Sequence, residues 1–234
     1  MTEQPRLSEV TSFSRRGGRL DQRRQRAWDD LAERYVIEPP RGAVSTSVDP
    51  SCRFDPEAEF GRSGRFVVEI GSGHGDALAH AAAESPDTSF LALEVWRPGV
   101  ASALVHIRRD DLTNVRLMQV NAAEALATML RTASVDELWL FFPDPWHKLR
   151  HHKRRLVTPD FADKVARVLK PGGVWRLATD WNDYANQMRI VLAGAKDFDA
   201  CEGVRFDGRV PTRFEIKGAH VGRDIHDFSA VRLA

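Results

Sequence analysis

The stretch Val67-Val68-Glu69-Ile70-Gly71-Ser72-Gly73-His74-Gly75 decides how this chain is read. It is a short apolar strand running into a glycine-rich turn, followed by a helical pattern over 76–84. Glycine lets the backbone turn sharply and approach a ligand closely. Outward from this unit the chain alternates. Residues 66–70, 90–94, 115–120, 135–142 and 174–178 read as strands, and 76–84, 97–108, 123–130 and 181–192 as the helices between and after them. Thr158-Pro159-Asp160 starts a further helix with a cap, a first-turn proline and an early acid. Phe161, Val165, Val168 and Leu169 form its apolar stripe, and Lys170-Pro171-Gly172-Gly173 ends it. Strands separated by helices of this length predict an α/β fold with a largely parallel sheet covered on both faces.

The rest of the chain is less regular. Trp28, Leu31, Ala32 and Tyr35 fall at helical spacing and predict a helix over 21–35. Residues 1–20 carry no periodicity, 39–64 read as loop, and 197–234 read as strand-like with a loop at 208–220. The expected organisation is a basic N-terminal arm, helix and loop over 1–64, ahead of one domain over 65–234. The 234 residues, 42% apolar and 29% charged, suit a soluble globular chain with one sizeable core. No apolar stretch is long enough to span a bilayer, and the polar, arginine-rich N-terminus does not read as a secretory signal. Cys52 and Cys201 supply neither metal spacing nor a disulfide framework. These features predict a cytoplasmic protein.

The net charge of +1 hides two local basic patches. Residues 1–26 hold seven Arg against three acids. Residues 147–155 hold five Lys/Arg and three His with no acid. Patches of this kind on a nearly neutral protein suit localised phosphate contact. The second patch follows Phe141-Phe142-Pro143-Asp144-Pro145-Trp146, where an apolar strand ends and a carboxylate sits between two prolines that stiffen the chain. A carboxylate at a strand mouth beside dense positive charge suits a polyanion that carries a hydrogen-bond donor group.

In an open parallel sheet the ligand lies beyond the carboxyl ends of the strands. A dinucleotide fingerprint expects a small third residue at 76, so Asp76 counts against NAD. Glu69 suits a ligand with a cationic end, such as the amino group of a methionine moiety. Glu94, 25 residues later, sits where a carboxylate can accept both ribose hydroxyls. Asn121 has an amide able to pair with an adenine edge. Singly these are a surface carboxylate and a turn asparagine; after successive strands they form a set. With Gly71, Gly73 and Ala122 they resemble the S-adenosylmethionine site of the Rossmann-like methyltransferases.

Further motifs narrow the resemblance. Pro143-Asp144-Pro145-Trp146-His147-Lys148, the run from Arg150 to Arg155, Thr179-Asp180-Trp181 with Tyr184-Ala185, and Thr212-Arg213-Phe214-Glu215 resemble the bacterial tRNA (guanine-N7)-methyltransferase family. So does the segment from Ser12-Phe13 to Leu20. The resemblance implies a seven-stranded Rossmann-like sheet with one antiparallel strand, S-adenosylmethionine as cofactor, and methyl transfer to a variable-loop guanine of tRNA. It implies Glu69, Glu94, Asn121 and Asp144 as cofactor contacts, with Asp144 also catalytic. It further implies substrate contact by Lys148, Asp180, Thr212, Arg213, Phe214 and Glu215. The tRNA-binding run is Arg150, His151, His152, Lys153, Arg154 and Arg155. Arg15, Arg16 and Arg19 would belong to an arm that orders on tRNA.

Which carboxylate reads the guanine edge stays open among Asp144, Asp180 and Glu215. Trp146 either packs the strand end or stacks on a base, and His74 reads as a spectator. No carboxylate or cysteine accompanies His147, His151 and His152 at ligand spacing, so no metal is expected. Monomer and homodimer are equally compatible with the sequence. Three rivals are weaker. An amino-methyltransferase would carry Asp-Pro-Pro-aromatic rather than Pro-Asp-Pro-Trp. An RNA-binding protein with a dead cofactor site would not need Glu69, Glu94 and Asp144 intact. A hydride-transfer enzyme lacks its acid/base pair.

Overall fold

The computed structural model describes residues 19–203 and 205–234. The motif at 12–18 and the arginines Arg15 and Arg16 lie outside the described residues. Seven strands form one sheet: β1 (Phe66–Ile70), β2 (Ser89–Leu93), β3 (Val115–Met118), β4 (Val135–Phe141), β5 (Leu169–Thr179), β6 (Phe198–Glu202) and β7 (His226–Arg232). Their spatial order is β3-β2-β1-β4-β5-β7-β6. The pairs among β1 to β5 are parallel, and β7 runs antiparallel to both β5 and β6.

All five residues of β1 are buried, as expected for a central parallel strand covered on both faces. Alternate side chains feed different cores. Phe66, Val68 and Ile70 join Leu138, Phe161 and Trp175 on one face. Val67 joins Phe90, Trp139 and Leu104 on the other. The second core is closed by α1 (Gln22–Tyr35), α3 (Asp76–Glu84) and α4 (Arg97–Arg109). The first is closed by residues of a π-turn (Ala125–Met129) that follows the short α5 (Ala122–Glu124), and by α6 (Pro159–Val168) and α7 (Asn182–Gly194).

The part of 1–64 that is described is folded onto this sheet. Asp21 caps α1 by accepting the Arg24 N–H at 2.9 Å. Ala27 and Tyr35 are buried in the second core, and Val48 and Phe54 in the first. The loop expected over 39–64 contains a short helix, α2 (Pro56–Phe60), capped by Asp55 with proline in its first turn. Residues 169–173, expected as a helix-ending turn, instead begin β5. They run beside β4 with a register shift between Val135 and Glu137. The loop expected over 208–220 holds α8 (Arg213–His220), whose N-cap Thr212 accepts the Glu215 N–H at 3.3 Å.

Candidate active site

The register of the parallel strands sets the site. Ile70 lies level with Leu93 and Leu140, and Leu93 with Met118. The residues that follow therefore emerge along one edge of the sheet. In spatial order these are Asn121 after β3, Glu94 after β2, the glycine turn after β1, Asp144 after β4 and Asp180 after β5. The chain reverses direction across the sheet between β1 and β4, where such folds bind ligands. A cavity of about 460 Å3 opens at this point, a volume ordinary for a small-molecule site. Its walls include Gly71, Gly73, Glu94, Ala122, Asp144 and Phe214.

The turn is built by backbone that other residues adopt at a cost. Gly73 has φ +56°. Gly99, in the first turn of α4, packs against it so closely that a Cβ there would collide with the Gly73 carbonyl oxygen. Glu94 holds the turn from the other side, accepting the Gly73 and Trp96 N–H groups at 2.8 Å each. Burial raises the Glu94 carboxyl above its ordinary value, opposed by these N–H groups.

Glu69 ends up at the floor of the turn, 4% exposed, with Oε2 unpaired. Burial, reinforced by the charges of Glu94 and Asp76, pushes its carboxyl from 4.5 up to about 8. A buried acceptor with nothing to accept from is costly unless a cation arrives. The residues present thus fit S-adenosylmethionine: an orphan carboxylate for the ammonium, a second carboxylate one strand over for the ribose, and apolar walls from Val95, Trp96 and Val120. His74 lines the same space with its ring edge-on to Trp96, and burial lowers its pKa, so the ring stays neutral near pH 7.

Asp144 lines the cavity and its carboxylate accepts no hydrogen bond from any described residue. It stands between Phe142 (φ +51°) and Trp146 (φ +46°), both in the left-handed region that favours glycine. Two such residues around one acid mark a segment whose shape is imposed by its surroundings. The Arg154 guanidinium lies 5.0 Å over the Trp146 ring. Asp180 is occupied differently: it accepts from Arg223 at 2.7 Å, and Arg223 in turn covers Trp181, which meets His147 at 4.1 Å.

Two expected contact residues are placed inside the protein. Glu215 is buried and accepts from both Arg205 and Arg209. Arg209, itself fully buried, also donates to both oxygens of Asp227 at 2.8 and 3.0 Å. This knot ties α8 to β7. Arg155, expected in the RNA-binding run, is 1% exposed. It donates to the Pro145 carbonyl at 2.8 Å, to Gln187 at 3.0 Å and to Asp183 at 2.5 Å, and lies over Tyr184. Arg150 and Lys153 remain exposed on the short 3-10 turn Leu149–Arg154, as does Lys148 just before it, and His151 and His152 are half-buried.

Arg155→Ala is therefore expected to lower stability by about 2–4 kcal/mol by deleting a fully buried side chain with its bonds to Pro145, Gln187 and Asp183, while Lys153→Ala stays within about 0.5 kcal/mol. Thermal unfolding of the two variants side by side checks this.

Asn121 does not line the cavity with the others. Its side-chain oxygen caps α5 by accepting the Ala123 N–H, and its amide donates to Glu124 at 3.1 Å. Ala122 does line it. The sequence reading did not single out Trp96, Leu156 or Lys217, which also line the cavity. Among the described residues no group of His, Cys, Asp and Glu could hold a metal ion, and no helix is long and apolar enough to cross a membrane.

Residues 63–228 match a protein-family model described as a putative methyltransferase. A tRNA (guanine-N(7)-)-methyltransferase of Arthrobacter sp. (strain FB24) is 57% identical over 187 residues, covering 80% of this chain and 59% of that protein. The chain spans about three fifths of the length of this relative and of a second one from Paenarthrobacter aurescens. The enzyme of the same name from Cutibacterium acnes is 46% identical over 230 residues, covering 96% of this chain and 83% of its own. Among solved structures, the 16S rRNA methyltransferase KamB superposes with TM-score 0.56 at 17% identity, covering 76% of this chain and 94% of that one. An S-adenosylmethionine-dependent O-methyltransferase from Thermotoga maritima gives TM-score 0.52 at 16% identity, with 74% and 61% covered. At these identities the structures establish the fold, the class I methyltransferase sheet. The length and identity of the Cutibacterium match carry the narrower conclusion: the chain belongs to the tRNA (guanine-N(7)-)-methyltransferase family.

Proposed function

We propose that this protein transfers a methyl group from S-adenosylmethionine to N7 of a guanine in tRNA, at the variable loop. The observation that carries the reading is that Glu94, Asp144 and Arg154 line one cavity, while Glu69 lines the adjoining hollow that shares Gly71, Gly73 and His74 with it. The exposed Lys148, Arg150 and Lys153 belong to the segment that leads into Arg154. Glu69 would hold the cofactor's ammonium, Glu94 its ribose, and Ala122 with Val95 and Trp96 would flank its base. When bound, the cofactor supplies a methyl group activated by its sulfonium.

Guanine N7 has an in-plane lone pair and carries no proton, so its attack needs neither a general base nor a metal ion. What the chain must do is hold N7 in line with the methyl carbon, which is catalysis by positioning. The methylated base is cationic, and the Asp144 carboxylate at the cavity mouth stabilises that developing charge. Asp144 is also the reader of the guanine N1–H and amino edge. Of the three candidate acids it alone has no cationic partner among the described residues, Asp180 being engaged by Arg223 and Glu215 by Arg205 and the buried Arg209. A tRNA substrate places the activity in the cytoplasm.

The test is transfer of labelled methyl to unmodified tRNA followed by nucleoside analysis. The expected product is 7-methylguanosine at one variable-loop position; a different methylated nucleoside refutes the assignment. Asp144→Asn is expected to lower kcat by about 100- to 1000-fold with cofactor affinity within a few-fold. Full turnover in that variant removes Asp144 from the chemistry.

The exposed cations of this segment act on the phosphate backbone. Replacing Lys148, Arg150 and Lys153 together by Ala should reduce the slope of log K against log salt by about 2. Filter binding of tRNA at several salt concentrations checks it, and cofactor affinity should not change.

A further inference from the structure

Next to the cavity, and sharing Gly71, Gly73, His74 and Phe214 with it, a small hollow is lined by Glu69, Ser72, Asp76, Thr212 and Arg213. Two of its polar atoms are buried and unpaired, Glu69 Oε2 and Ser72 Oγ. Arg213 opens α8 with its side chain 63% exposed. Its nearest anion is Asp76 at 3.7 Å, beyond hydrogen-bond reach, and Asp76 already faces His106 at 3.4 Å. Among the described residues the Arg213 guanidinium makes no hydrogen bond.

The hollow thus presents one orphan acceptor together with a hydroxyl and a planar guanidinium fork whose donors are unused. That set is the complement of an amino-acid group, an ammonium and a carboxylate on one carbon. Glu69 satisfies only the ammonium. A carboxylate brought in with it would lie among Glu69, Glu94 and Asp76, three acids of its own sign, unless donors met it. A guanidinium binds carboxylate in a paired geometry that an ammonium group cannot reproduce.

We propose that Arg213, assisted by Ser72, receives the α-carboxylate of the cofactor's amino-acid end, which makes α8 a clasp on the cofactor. This rests on the S-adenosylmethionine reading above. It moves Arg213 from the RNA-contacting set, where sequence resemblance placed it, to the cofactor set. It also makes Arg213 a specificity residue, because an analogue that keeps the ammonium but lacks the carboxylate gains nothing from it.

Calorimetric titration of the full chain with S-adenosylmethionine and with decarboxylated S-adenosylmethionine separates the possibilities. Arg213→Gln should weaken S-adenosylmethionine binding about 10-fold or more and change binding of the decarboxylated analogue less than about twofold. Arg213→Lys, which keeps the charge and loses the fork, should recover part of the loss. Ser72→Ala should show a smaller loss with the same selectivity. Equal losses for both ligands, or unchanged S-adenosylmethionine affinity with a reduced salt slope for tRNA, would overturn the inference and leave the cofactor reading intact. Failure of the unaltered chain to bind either ligand would overturn both.

Discussion

Glu69→Gln is expected to abolish cofactor binding and, in the ligand-free protein, to raise stability at pH 8 and above. The carboxyl titrates at about 8 in the folded chain, against 4.5 in its ordinary setting, chiefly because burial disfavours its charge. A folded pKa above the unfolded one means that the folded state keeps its proton after the unfolded state has lost it. Stability from this group is therefore fully present below pH 4.5 and falls as pH rises to about 8, where the loss is complete. A shift of that size corresponds to a loss on the order of 5 kcal/mol at most. Chemical denaturation at pH 5.5 and 8.5 on both proteins isolates the effect, since every other group titrates alike in the pair. The same proton governs the ligand. An ammonium needs the ionised carboxylate, so cofactor affinity should rise with pH up to about 8 with release of a proton on binding. Titrations in buffers of different ionisation enthalpy would count it. Parallel pH dependence in Glu69→Gln and the unaltered protein would remove Glu69 from this role.

Glu215→Gln should act through the fold. The change strips a full charge from between two arginines, one of them fully buried, and leaves Asp227 as the only anion on Arg209 among the described residues. Breaking a buried pair on one side costs about 3–5 kcal/mol. For a chain of this size that is a fall in Tm on the order of 10 °C. Cofactor affinity should also decline, because the knot seats α8, and Phe214 on that helix approaches Gly73. The choice of guanine should not change. A variant that melts like the parent yet methylates a different base would show that Glu215 reads the substrate.

The strand–turn–helix unit at 66–84 was legible in full because hydrophobic period and glycine punctuation agree there. α8 was hidden by its flanks: Gly208 and Pro211 announce a loop. Yet Thr212-x-x-Glu215 is also a helix-start pattern, and it was read only as a substrate motif. α2 is hidden in the same way inside the stretch 39–64 that reads as loop, although Asp55 caps it and Pro56 opens its first turn. Glu94 and Asp144 could be placed on one edge because each comes soon after a strand, and Glu69 because it is the penultimate residue of one. The interior positions of Arg155 and Glu215 could not. Each depends on partners that the chain supplies elsewhere: Asp183 and Gln187 for the first, Arg205 and Arg209 for the second. A positive residue in a basic run looks the same in sequence whether it meets phosphate or turns inward to a carboxylate of its own chain.

The position of β7 between β5 and β6 has a consequence for biosynthesis. As the chain leaves the ribosome, β1 to β5 can pair as they appear, each beside a strand already made, and domains do form in that order. β6 cannot, because its only neighbour is β7, which is translated later. α8 lies in the segment between them, and its anchor Arg209 needs Asp227 from β7 itself. A nascent chain therefore holds an open cofactor cradle until its last strand is threaded between two others. Seating of α8 beside the Glu69 hollow then coincides with completion of the sheet.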